Sequence, residues 1–325
     1  GYICPPGFQS KGRTRSCLQK VGTNAEEANV TMRSLLFVPG DSDRKILKAT
    51  MTEADCLILD LEDAVAPSQK EAARNTVTTF LAEKRGRTKS IYVRINPLDS
   101  GLYLEDCSSI VPAAPTGIVV PKVNGVEDII RIGSILEALE TEHDMQVGAT
   151  KIIALTAETP ESIFSLGGFH EEIPRLQALT WGAEDLATSL GSSSNLTKSK
   201  TWTEPFQIVR SLCLIASHAA KVEAIDTVMA DFNDLEQLAN ICQLAKRDGF
   251  TGKMCIHPSQ VAIVNECFSP TQSEIVEAET VVSAFAANPE SGALQIDGKL
   301  IDKPHLEKAR RVLQLAKVLE QPQNT

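Results

Sequence analysis

From Arg33 onward, short aliphatic runs alternate with longer stretches whose apolar positions recur every three or four residues. The runs are 34–40 (SLLFVPG), 56–63 (CLILDLED), 90–96 (SIYVRIN), 117–123 (GIVVPKV), 151–158 (KIIALTAE), 178–185 (ALTWGAED), 223–231 (EAIDTVMAD) and 252–258 (GKMCIHP). Several are almost continuously aliphatic, the pattern of parallel strands covered on both faces. Helical spacing appears over 43–51, 69–84, 126–142, 205–220 and 235–247, and more weakly over 160–167. Eight strand–helix units in about 250 residues predict an α/β fold of the (β/α)₈ TIM-barrel type. The alternative is an open doubly wound sheet. The first turn is VPGDSD rather than G-x-G-x-x-G, so a dinucleotide fingerprint is absent, and no P-loop occurs.

Helical spacing over 274–287, a hairpin-like loop over 291–301 and a helix over 303–320 predict a C-terminal helical extension. The expected division is a leader over 1–31, a barrel over 32–270 and an extension over 271–325 that reaches a neighbouring subunit. The leader carries Lys11, Arg13, Arg15 and Lys20, with no acid before Glu26 and no apolar stretch of a secretory signal. It reads as a transit-like segment or an added extension, which points to the cytoplasm or, with a transit peptide, the mitochondrial matrix.

The 325 residues are 42% hydrophobic but only 5% aromatic, so aliphatic side chains must fill the core. With 32 Lys+Arg against 42 Asp+Glu the formal charge is −10, which argues against nucleic-acid or anionic-membrane partners. No run approaches the roughly 18 apolar residues of a membrane span. The eight cysteines show no C-x-x-C pair and no clustering with the five histidines, as expected of scattered reduced thiols. Two sequons, at Asn29 and Asn195, are expected to be chance matches.

Charged residues collect where the runs end: Asp60, Glu62 and Asp63; Arg94 and Asn96; Lys122; Glu158; Glu184 and Asp185. In a barrel of parallel strands these ends form the face that carries chemistry. Two carboxylates a few ångströms apart repel by roughly 4 kcal/mol at an effective dielectric near 20, so positive charge must offset them. Arg94 and Lys122 supply part, and a divalent cation held by two carboxylates would supply the rest. An oxygen-only donor set favours Mg²⁺, with Mn²⁺ as the substitute, over Zn²⁺. The structural alternative is a salt-bridge network in the bore. His257 reads equally as a ligand contact or a structural histidine. The Ser-rich loop 191–203 reads as a surface loop or a lid.

RSLLFVPG (33–40), LDLEDAV (59–65), YVRIN (92–96), VVPKV (119–123), GAED (182–185), GFTGKMCIHPSQ (249–260) and GKLIDKP (298–304) resemble, in order, the citrate lyase β-subunit and CoA-ester lyase family. This family lies within the HpcH/HpaI aldolase superfamily, with malyl-CoA and citramalyl-CoA lyases. The resemblance implies a (β/α)₈ barrel, a homotrimer or homohexamer, and Mg²⁺-dependent cleavage or formation of a C–C bond between an acyl-CoA and an α-keto acid. It places the metal on Glu158 and Asp185 and the keto acid on Arg94. Asp302 becomes a proton-transfer group reaching a neighbour's site. Glu62 and Asp63 steady Arg94 or metal-bound water, and Arg33, Lys45 and Lys253 are candidates for the CoA moiety. Activity as a β-subunit working on a citryl group of an acyl-carrier protein, or as a CoA thioesterase, fits the same resemblance. Many relatives carry E-[ST]-[PA]-x-G around the metal Glu. Here Glu161 stands where small residues are common, which bears on the shape of the keto-acid pocket.

Overall fold

A computed structural model describes residues 31–83 and 89–320, so the leader over 1–30 and the sequon at Asn29 lie outside the described residues. Eight parallel strands close into a barrel in sequence order. They are β1 (Ser34–Pro39), β2 (Cys56–Asp60), β3 (Ser90–Arg94), β4 (Gly117–Val123), β5 (Lys151–Thr156), β6 (Leu176–Trp181), β7 (Glu223–Asp226) and β8 (Gly252–Cys255). The outer helices are α1 (Asp43–Thr50), α2 (Lys70–Glu83), α3 (Tyr103–Ile110), α4 (Val126–Glu142), α5 (Pro160–Ser165), α6 (Ala183–Leu190), α7 (Glu204–Ala219), α8 (Leu235–Asp248) and α9 (Pro258–Phe268). Among the described residues no helix is long and apolar enough to cross a membrane. The six described cysteines are free thiols, five of them buried.

Alternation along each strand divides the core in two. Leu35, Cys56, Ile58, Tyr92, Val119, Ile153, Ile225 and Met254 fill the bore. Their neighbours Leu36, Leu57, Leu59, Val93, Ile118, Ile152 and Cys255 pack under the helices. Asp60 and Arg94 are two residues beyond Ile58 and Tyr92 and are paired in register, so the pleat aims both at the bore's C-terminal mouth.

Three helices differ from the sequence expectation. α3 is only eight residues long and runs straight into a 3₁₀ turn at Val111–Ala113, too short for periodicity to register. α9 hides its apolar stripe behind buried polar residues: Asn265 accepts from Ser34 and donates to the Glu53 carbonyl. α6 begins at Ala183, inside the run that predicts strand six, because Gly182 stops the strand and the acids Glu184 and Asp185 occupy a helical first turn, where the macrodipole favours them.

After the barrel, α10 (Gln272–Ala287), the hairpin β9 (Ala293–Ile296) and β10 (Lys299–Asp302), and α11 (Lys303–Glu320) build a separate apolar cluster around Val281, Phe285, Ile301 and Leu306.

At the opposite rim, buried Glu140 accepts from Arg175 Nη1 and Nη2 at 2.8 and 2.7 Å and from the Gly148 and Thr150 N–H groups at 2.7 Å each. Burial alone would raise its pKa. Arg175, then the two backbone donors, outweigh that and bring the carboxyl down to about 2. A depressed folded pKa contributes stability above the unfolded value of 4.5 that is lost as pH falls toward 2. A shift of this size corresponds to at most about 3 kcal/mol, and glutamine, which can still accept some of these hydrogen bonds, would forfeit about 2 of it. Glu140→Gln is therefore expected to lose about 2 kcal/mol in denaturant melts at pH 7 and to flatten the acid limb between pH 4.5 and 2. An unchanged acid limb would assign the transition to other carboxylates.

Candidate active site

The mouth of the barrel gathers Asp60, Glu62, Asp63, Arg94, Lys122, Glu158 and Asp185. Arg94 is nearly buried and its guanidinium is fixed on every side. Nε and Nη2 donate to the two Asp60 oxygens at 2.7 and 2.6 Å, a two-pronged contact. Nη1 lies 2.9 Å from Glu62 Oε2 and 3.7 Å from Asp63 Oδ2. The Phe37 ring lies 4.8 Å from the guanidinium carbon. Burial would lower the Arg94 pKa, but the Asp60 contact overrides it and keeps the cation charged.

Asp60 also accepts from the Glu62 and Ala64 N–H groups, and Lys70 Nζ bonds the Leu61 and Glu62 carbonyls at 2.7 Å each. The turn after β2 is thereby rigid. Its LDLED string places one acid under Arg94 and a second beside it. The sequence marks Asp60 among the charges at the strand ends but gives it no role of its own. Its signal was its place on the bore side of the pleat, opposite Arg94.

Glu158 is 2% exposed and stands beyond the end of β5, after Ala157 in a left-handed conformation (φ 53°). Its Oε2 accepts from the Lys122 backbone N–H at 2.5 Å. Burial pushes the carboxyl up to about 8. The Lys122 N–H opposes this, while Asp185 and Glu62 reinforce it. Asp185 is half-buried in the first turn of α6 rather than at a strand end, and its Oδ1 is 3.8 Å from Lys122 Nζ. Lys122 Nζ bonds Glu62 Oε1 at 2.7 Å. Glu62 Oε2 is buried, and despite its closeness to Arg94 it lacks an aligned hydrogen-bond donor.

This arrangement fits a divalent cation. Glu158 is a buried carboxyl that only a nearby positive charge would keep ionised, with a second carboxylate on the adjacent helix turn. Among the described residues no group of three or more His, Cys, Asp or Glu sits close enough to hold a metal. Two carboxylates with open positions suit an ion that keeps water or substrate oxygens, such as Mg²⁺.

Gly182 makes room for this pair. A Cβ there would lie 2.5 Å from Glu158 Cγ and 3.0 Å from Oε1, although its backbone (φ −109°) suits any residue. Gly182→Ala is expected to fold, at a cost of about 1–2 kcal/mol from overpacking. The displaced Glu158 should weaken Mn²⁺ binding about tenfold or more, roughly 1.4 kcal/mol. Wild-type Mn²⁺ affinity in a folded Gly182→Ala protein would remove Glu158 from the cation site.

Lys45 is exposed in the first turn of α1, on the mouth side of the barrel. Two other expected CoA contacts are corrected by their positions. Arg33 precedes β1, at the opposite rim, where Asp55 takes its Nε and Nη2 and Ser269 its Nη1. Lys253 is fully buried. Met254 takes the bore side of β8, so Lys253 faces the helices, with Nζ on the Thr227 carbonyl and 3.7 Å from Asp226. Asp302 is half-exposed at the junction of β10 and α11. Its Oδ1 lies 2.5 Å from His305 Nδ1, and that bond holds the carboxyl below its usual range.

His257 caps α9 by accepting from Ser259 N–H, and its ring stacks on Phe232 at 4.7 Å. Glu161 is exposed in the first turn of α5. The 191–203 loop is tied down by Trp202, which packs on Trp181 and Phe206, and by an ion pair between Lys200 and Asp234. A 310 Å³ cleft between α7 and α8 and a 540 Å³ groove along α10 lie away from the mouth and lack the acid–cation cluster.

Residues 33–258 match the family model of the HpcH/HpaI aldolase/citrate lyase domain. The chain belongs to the HpcH/HpaI aldolase/citrate lyase family. It is 31% identical to the citrate lyase subunit beta of Haemophilus influenzae, across 88% of this chain and 97% of that protein. It is also 31% identical to the mitochondrial citramalyl-CoA lyase of Rattus norvegicus, across 97% of this chain and 90% of that one. The crystal structure of CitE from Mycobacterium tuberculosis, in complex with magnesium, acetoacetate and coenzyme A, superposes with a TM-score of 0.71 at 30% identity, covering 88% of this chain and 98% of that one. The family members named here are carbon–carbon lyases, and the eight-stranded barrel with its helical C-terminal extension is the fold shared with CitE.

Proposed function

We propose that this chain is a Mg²⁺-dependent CoA-ester lyase that cleaves, or in reverse forms, the C–C bond between an acyl-CoA and an α-keto acid. The observation that carries the reading is the fixed Arg94 guanidinium joined through Glu62 and Lys122 to the Glu158 and Asp185 carboxylates at the barrel mouth. The relatives' named activities, and the magnesium and coenzyme A bound by CitE, support it.

Glu158 and Asp185 would hold the ion, which when bound supplies Lewis acidity toward keto-acid oxygens. Arg94 binds the keto-acid carboxylate and places hydrogen-bond donors where oxyanion charge grows. Glu62 and Asp63 hold Arg94, and Lys45 faces the CoA phosphates. In cleavage the ionised Asp302 carboxylate of a neighbouring subunit takes the proton of the substrate hydroxyl, the C–C bond breaks with its electrons passing to the thioester enolate, and Asp302 then returns that proton to the acyl carbon.

Assaying the purified chain with citryl-, malyl- and citramalyl-CoA and Mg²⁺ tests the reading. Release of an α-keto acid or oxaloacetate together with acetyl-CoA is the expected result. Cleavage of citryl-acyl-carrier protein alone would make the chain a citrate lyase β-subunit, and release of free CoA without C–C cleavage would make it a thioesterase.

Donation of Asp302 requires an oligomer, with a closed homotrimer or homohexamer giving identical shared sites. Inactive Asp302→Ala and inactive Glu158→Ala subunits, mixed, dissociated and reassembled, are expected to regain activity. A mixture that stays inactive while wild type recovers would confine each site to one chain.

A further inference from the structure

We propose that Lys122 is a positioning residue that holds the acids of the cation site together before the ion arrives and limits how tightly the ion is then held. The inference rests on the reading of the mouth as a divalent-cation site.

The strand itself is built for this. The β4–β5 register runs from Val120 opposite Ala154 to Val123 opposite Thr156, so β4 spends three steps where β5 spends two. The extra residue makes a bulge. It falls at Pro121–Lys122, where Pro121 has no N–H to give the ladder. Lys122 adopts a left-handed conformation (φ 52°), which costs a non-glycine residue and persists only where its surroundings impose it. The bulge turns the Lys122 N–H out of the ladder and onto Glu158 Oε2 at 2.5 Å. The same residue sends its ammonium to Glu62 Oε1 at 2.7 Å, with Asp185 Oδ1 at 3.8 Å. One residue thus touches all three acids, through its backbone on one side and its charge on the other.

The two contacts act in opposite directions on a bound ion. The N–H fixes one Glu158 oxygen and leaves Oε1, the one nearest Gly182, for the ion. The ammonium offsets the carboxylates in the ion's absence and repels the ion in its presence. It also anchors Glu62, which in turn faces Arg94.

Lys122→Met keeps the N–H and the chain length and removes the charge. Mn²⁺ titrated into the metal-free full-length protein by electron paramagnetic resonance, with Mg²⁺ in competition, is expected to bind about tenfold tighter than to wild type. In the loaded enzyme kcat should fall at least tenfold, because Glu62 and with it Arg94 lose their support. Lys122→Arg should keep wild-type Mn²⁺ affinity. A lysine serving only the fold would instead lose affinity and stability together on going to Met. Unchanged or weaker Mn²⁺ binding by the Met variant overturns the proposal while leaving the cation site intact. If wild type binds no Mn²⁺, the cation-site reading fails and this inference with it. Lys122→Gln carries the same comparison should the Met variant not fold.

Discussion

Replacing Glu158 with glutamine should remove cation binding and lower kcat/KM by about 10³-fold or more, about 4 kcal/mol at the transition state, while making the ion-free protein more stable. The two effects have one origin. Glu158 is buried with one direct donor to its side chain among the described residues, the Lys122 N–H, and with Asp185 and Glu62 close enough to raise its pKa further. On the proposed reading a carboxylate in that position is tolerated for the ion it would bind. An amide of the same shape still accepts the Lys122 N–H through its carbonyl and carries no charge into the acidic cluster. It should raise the midpoint of thermal unfolding, by the equivalent of about 1–2 kcal/mol, in the trade of stability for function that active sites commonly show. Calorimetry of the ion-free proteins and Mn²⁺ titration check the two halves separately. Glu158→Gln that is both destabilised and still able to bind Mn²⁺ would make Glu158 a structural residue and move the ion elsewhere.

The barrel was legible because its strands are buried on both faces. Runs such as CLILD and GIVVPKV cannot cover themselves in an amphipathic sheet, and eight of them in order leave few architectures. The helices were less legible where tertiary contacts replaced periodicity. In α9, Gln260 bonds the Ile256 and His257 N–H groups and the Met229 carbonyl. Positions that read as polar and exposed are therefore buried. The same limit applied to the site. Charge at strand ends marked Arg94, Glu158 and Lys122, because such residues in aliphatic runs have few other places to go. What it could not convey was which way the pleat turns at each charged position. Arg33 opens a strand rather than closing one, and Lys253 alternates outward, so both basic residues compensate buried acids, Asp55 ahead of β2 and Asp226 on the helix side of β7. The bulge that aims Lys122 has no sequence mark beyond Pro121, and the need for Gly182 becomes visible only once Glu158 packs over it.

Arg94→Lys tests whether the mouth recognises a carboxylate by shape as well as by charge. Two of the five guanidinium N–H groups bond Asp60 and a third faces Glu62, so the plane of the group is set before any ligand arrives, with Phe37 packed against it. On the proposed reading the remaining donors would meet a keto acid without reorganising. Lysine retains the positive charge the acids require but presents a rotatable ammonium that cannot span Asp60 and a substrate carboxylate together. The expected loss is on the order of 10²-fold in kcat/KM, about 2.7 kcal/mol. It should fall on kcat as well as KM, because a donor that tightens on developing oxyanion charge acts beyond ground-state binding. Part of any change will be structural, since Asp60 loses its fork. Asp60→Asn supplies the control: it releases the guanidinium but keeps it present, and should cost stability while lowering kcat less than Arg94→Lys does. Near-wild-type kinetics for Arg94→Lys, or an Asp60→Asn protein as impaired in kcat as the lysine variant, would reduce Arg94 to a partner of Asp60 and leave keto-acid recognition to other groups.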